Sequence, residues 1–226
     1  MKALYKVVSA VLPLLLFPVL LFTPFLKIIV SVGSSTDTVV NGTYSVKQLY
    51  DLVMPLKDSI QKTGWSFASI PDSVKDAIGA PAVLFVLFLA LAIVMALLLF
   101  VFGLFTKKKK LCLLFAALGL AFTVGMNISF DALAKPLVSG VVSVTDLFGK
   151  DFISVITGLV GGGSVDLGSV LGSGTGLLSI FSSLLGGGST LINIRLLSLS
   201  VTYILMLLIY IVLTVWNIAH LLIEWK

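Results

Sequence analysis

Residues 80–124 read APAVLFVLFLALAIVMALLLFVFGLFTKKKKLCLLFAALGLAFTV: two long apolar runs, Ala80 to Phe105 and Leu111 to Val124, joined by Lys107, Lys108, Lys109 and Lys110. Taking four ammonium groups to mid-bilayer would cost about 10 kcal/mol, at roughly 2.5 to 3.5 each, so this turn belongs at a membrane surface. Short lysine-rich loops stay on the cytoplasmic side. The pattern predicts a helical hairpin whose tight turn faces the cytoplasm.

Composition agrees with lipid as the solvent. Of 226 residues 58% are hydrophobic and only 11% charged, too few to cover a soluble fold of this length. The net charge of +5 does not imply nucleic acid. Four of the fifteen basic residues are the hairpin turn, and Lys2 and Lys6 precede the first apolar run, so a membrane surface accounts for them. Cys112 is the single cysteine, which excludes an intrachain disulfide.

Working outward from the hairpin, the fold class expected is an all-α integral membrane protein. It is a four-transmembrane-helix bundle with a small β-hairpin/helix extracytoplasmic cap and a Gly/Ser-rich second outer segment. The first span is read over Tyr5 to Val30, kinked by Pro13, Pro18 and Pro24. A cleaved signal peptide is the competing reading of this run. The second and third spans are Ala82 to Phe105 and Leu111 to about Ile128, and the fourth runs from about Leu196 to Leu222. The segments are then 1–30, 31–80, 81–129, 130–195 and 196–226, with both termini cytoplasmic, as in a plasma-membrane protein obeying the positive-inside rule.

In the first outer segment, Ile28 to Val32 and Thr38 to Val40 are β-prone, and Asn41-Gly42 signals a two-residue hairpin turn. Ser45 and Gln48 form a capping box ahead of Val46, Leu49, Tyr50 and Val53, and Pro55 ends that helix. In the second, glycine triplets at 161–163 and 186–188 bracket a tract in which Gly168, Gly172 and Gly176 recur every fourth residue. That spacing suits helix packing, and the composition equally suits a flexible linker.

Candidate site residues are few. Lys107, Lys108, Lys109 and Lys110 meet lipid headgroups and set topology. Arg195, at the outer mouth of the fourth span, either snorkels to lipid phosphate or pairs with Asp131 at the end of the third. His220, the one histidine, reads as a headgroup neighbour without partners for a metal site. No HExxH, CxxC, G-x-S-x-G or phosphate-loop motif is present, so no catalytic residue, metal or cofactor is expected. Asn41-Gly42-Thr43 and Asn127-Ile128-Ser129 match the glycosylation pattern.

Four spans, inward termini and a β-prone first outer segment resemble the tetraspan arrangement of claudin-type proteins. The resemblance is one of topology: that segment has Trp65 but no cysteine, so no residue role is carried over. The function expected is that of a non-enzymatic multi-pass protein, a subunit or scaffold of a membrane assembly. Its partners are the lipid bilayer and other membrane subunits or a second copy, with no nucleic acid. The alternative is a small channel, transporter subunit or lipid-handling protein, built around the bent first helix and the glycine tract.

Overall fold

The computed structural model describes residues 2–32, 38–50, 70–104, 109–141 and 192–224. The elements are α1 (Lys2–Leu14), α2 (Leu16–Phe22), β1 (Pro24–Val32), β2 (Thr38–Ser45), α3 (Asp72–Gly103), α4 (Lys109–Val138), β3 (Ile192–Leu199) and α5 (Val201–Glu224). They fall into two compact units. The first comprises Met1–Phe25, Ala82–Phe130 and Leu199–Lys226, the second Leu26–Pro81 and Asp131–Ser198.

Three helices, α3, α4 and α5, are long and apolar enough to cross a membrane. Their 32, 30 and 24 residues extend about 48, 45 and 36 Å, against a hydrocarbon core of roughly 30 Å. The first apolar run departs from the expected single span. It forms α1 and α2, separated at Leu15, and then strand β1. Pro13 and Pro18 have no N–H for the carbonyls of Ser9 and Leu14, and the break falls between these two prolines. There Leu15 N donates to Leu12 O at 3.2 Å, a tighter turn than the α-helix makes. Pro24 stops α2 by holding Thr23 in extended backbone, φ −88° and ψ 155°, and Ile28, Ile29 and Val30 then suit a strand.

The fourth span is corrected at its start, because residues 196–199 belong to β3 and the helix begins at Val201. Ser200 N donates to Phe25 O at 2.9 Å, and Thr202 Oγ1 donates to Thr23 O at 3.0 Å. These bonds join the exit of α2 to the entry of α5. The third span runs on past Ile128 to Val138.

The core of the first unit follows from residue size. Buried positions recur in steps of three and four: Ala92, Ala96 and Leu99 on α3; Cys112, Ala116, Gly119, Thr123 and Met126 on α4; Met206, Tyr210, Leu213 and Asn217 on α5. The first two helices offer small residues and the third large ones. The Tyr210 ring lies across Gly119, where even a methyl group would overlap it, and its hydroxyl donates to the Ala92 carbonyl. One side chain thus ties α5 to both α4 and α3. Other hydroxyls turn back on their own helix: Thr123 to Gly119 O at 2.8 Å, Ser129 to Gly125 O at 2.9 Å and Thr214 to Tyr210 O at 2.7 Å. That bond to the carbonyl four residues earlier satisfies a polar group inside an apolar helix.

In the second unit β1 pairs with β2 on one side and with β3 on the other. The third strand makes this segment a sheet, where a hairpin alone was expected. Asn41-Gly42 is not a turn: both residues lie within β2, and among the described residues only Gly140 has positive φ. Turning there would leave three residues a side, whereas an eight-residue strand laid along β1 gives a longer ladder. Gly42 is covered by the Tyr44 ring two residues along the same face. The capping box forms as expected: Ser45 N donates to Gln48 Oε1 at 2.8 Å, and Gln48 N donates to Ser45 Oγ at 3.2 Å. Ile70 and Val74 pack with Ala77, Ile78 and Leu137 in a small apolar cluster. Pro55, Trp65 and the tract containing Gly168, Gly172 and Gly176 lie outside the described residues.

Two measurements check this packing. Gly119→Ala should cost about 1 to 3 kcal/mol in thermal melts through overpacking against Tyr210. Gly79→Ala, in a helix with open space around it, should be neutral or stabilising by about 0.5 to 1 kcal/mol. Burial pushes the Tyr44 hydroxyl above the ordinary tyrosine value. The folded chain therefore holds this proton more tightly than the unfolded chain, and the stability is complete below about pH 10 and lost as pH rises beyond it. Alkaline melts of the parent should fall off more steeply than those of Tyr44→Phe.

Candidate functional site

Within the first unit, α1, α4 and α5 bring polar and aromatic side chains together at the end where the lysine turn enters α4. Tyr5 and Ser9 lie four residues apart on α1, Lys109 and Cys112 three apart on α4, and Trp216 and His220 four apart, with Asn217, on α5. Those spacings place each set on one helix face. All but Trp216 are buried in the bundle.

Tyr5 is the hub. Its hydroxyl donates to Asn217 Oδ1 at 2.7 Å, and Asn217 Nδ2 donates to Leu213 O at 2.7 Å. The amide is thereby oriented with its oxygen toward α1. Cys112 lies fully buried one turn along α4 from Lys109. Lys109 Nζ sits 5.0 Å from the centre of the Tyr5 ring, a cation–π contact made with Lys109 only 8% exposed. Removed from water, such a contact is worth up to about 2 kcal/mol. His220 stands edge-on to Tyr5 at 4.9 Å between centroids and edge-on to Trp216 at 4.7 Å. Ser9 Oγ and Trp216 Nε1 are buried and have no hydrogen-bond partner among the described residues. Beside Ser9, Gly103 on α3 lets two backbones touch, since a Cβ there would strike the Ser9 carbonyl.

The structure places four of the expected site residues, Lys109, Lys110, Asp131 and Arg195. Lys109 enters the cluster, Lys110 is exposed beside it, and Lys107 and Lys108 lie outside the described residues. Asp131 lies exposed on α4 and Arg195 exposed on β3, both in the second unit. Arg195 thus belongs to a strand and does not stand at the mouth of a helix. His220 is buried between two aromatic rings, which replaces the reading of it as a headgroup neighbour. Tyr5, Ser9 and Asn217 were missed. Their one mark in the sequence is a polar residue recurring at helical spacing inside an apolar run.

Chemically the cluster can pass hydrogen bonds between helices and hold a positive charge on an aromatic face. Among the described residues no group of three or more His, Cys, Asp or Glu side chains could hold a metal ion. A small apolar recess lies nearer the bend of the first run, lined by Leu16, Phe17 and Leu20 of α2, Ala92 and Ala96 of α3 and Met206 of α5.

A double-mutant cycle tests the hub. Tyr5→Phe and Asn217→Leu should each cost about 1 to 3 kcal/mol, since each strands a buried polar partner. The pair together should cost less than the sum by about 1 kcal/mol, and additive losses would dissolve the link. In comparison with known proteins, the chain matches no family model, no curated protein and no solved structure.

Proposed function

We propose that this chain is a non-enzymatic integral membrane protein that serves as a subunit or scaffold of a membrane assembly. The observation that carries the reading is the outward face of the three long helices. Val86 and Val94 on α3, Leu114 and Ile128 on α4, and Leu208 and Val215 on α5 are exposed, while Thr123 of α4 and Tyr210 and Asn217 of α5 turn inward and are satisfied there. Soluble monomers rarely expose continuous apolar faces of this length, so lipid or other apolar helices cover them. The basic end of α4 lies on the cytoplasmic side in this reading, with both termini there and the bent first run completing a four-helix set.

The alternative, a channel, transporter subunit or lipid-handling protein, draws on the break at Leu15 and the recess beside it. Divided helices are common where a membrane protein builds a passage or a groove.

The chain should remain in the membrane pellet after alkaline carbonate extraction and should migrate in mild detergent as a complex with itself or other subunits. A protein released by carbonate overturns membrane integration, and a strict monomer that conducts ions in liposomes favours the alternative. An impermeant amine reagent applied to intact cells should leave Lys108 unmodified.

A further inference from the structure

We propose that α2 is a strap, which lifts from α3 and α5 as a unit, hinged at Leu15 and fastened at Thr23, while α1 stays in place. Both ends of this seven-residue helix are cut off from regular structure. On the α1 side, Pro13 and Pro18 withhold N–H groups from the carbonyls of Ser9 and Leu14, and the chain passes Leu15 on the tighter bond from Leu15 N to Leu12 O. On the other side Pro24 holds Thr23 in extended backbone, and at the hinge Leu15 supplies no side-chain cap. About two turns of helix carry few bonds of their own to resist opening.

Each half of the first run has its own tie to α5. Tyr5 of α1 bonds Asn217, and α1 is held again where the Ser9 backbone meets Gly103 of α3. Beyond the hinge, the Thr23 and Thr202 hydroxyls lie 2.6 Å apart, and Thr202 Oγ1 reaches Thr23 O at 3.0 Å. Releasing Thr23 therefore leaves the α1 contacts untouched. Between hinge and fastening, α2 covers the apolar recess, with Leu16, Phe17 and Leu20 on its own side and Ala92, Ala96 and Met206 opposite. Alanines offer α2 few atoms to pack on, and Leu21 and Phe22, 43% and 68% exposed, add little to the hold. A short helix over a recess, tied at one end by side-chain hydroxyls, belongs to the low-stability end of a fold.

Ala96 in the recess and Ser9 on α1, both buried, report the two halves. In the full chain carrying Cys112→Ala, which removes the single native thiol, Ala96→Cys and Ser9→Cys are made separately and reacted in detergent with a small neutral maleimide. Adding Thr202→Val, which nearly keeps the side-chain shape and removes its bonds to Thr23, should speed labelling at Ala96→Cys about tenfold, the worth of one hydrogen bond, and leave Ser9→Cys unchanged. Hydrogen exchange on the parent chain covers the case in which a cysteine variant fails to fold. There the amides of Val19 to Phe22 should exchange about tenfold faster than those of Ser9 to Leu12. An equal rise at both cysteines, no rise at Ala96→Cys, or one exchange rate shared by α1 and α2 overturns the strap.

Discussion

The hydroxyl of Tyr210, donated across Gly119 to the carbonyl of Ala92, is the contact on which the helix packing of the first unit depends. A tyrosine amid apolar helices must find an acceptor, and reaching it requires that α4 carry no side chain in the way. Glycine at 119 follows from that demand. The small-residue stripes of α3 and α4 are the counterpart of the large side chains on α5.

The same helix supplies partners along its whole length. Near its start Thr202 bonds Thr23, in its middle Tyr210 bonds Ala92, and near its end Asn217 bonds Tyr5. Helix α5 is therefore the spine of the first unit, and the Tyr5 cluster is the last of three polar ties. It differs from the other two in holding a lysine and a histidine. The middle tie is a tyrosine hydroxyl on a backbone carbonyl and the upper one a pair of threonines.

Features governed by neighbouring residues were legible in the sequence. The three long apolar helices follow from composition over a window, and the Ser45–Gln48 box follows from residues three apart. Features that need a distant partner were not. Strand β3 borrows its pairing from β1, far away in the chain, and so Arg195 and the leucines after it read as the mouth of a helix. Asn41-Gly42 is a strong local turn signal that was overruled by a longer ladder. Lysine in a basic run reads as a surface residue, yet Lys109 folds onto an aromatic ring inside the bundle because α1 brings Tyr5 to it. Nothing local to either residue announces a bond between Tyr5 and Asn217, 212 positions apart.

That separation bears on how the molecule is made. Helices α1 and α2 are stitched, at Tyr5 and at Thr23, to α5, which the ribosome adds long after them. Until α5 is made the Tyr5 hydroxyl lacks its Asn217 acceptor, and neither α1 nor α2, about 20 and 10 Å long, crosses a bilayer alone. Closure of the first unit is thus deferred until α5 is made, and a nascent chain cut short before it carries an unsealed front.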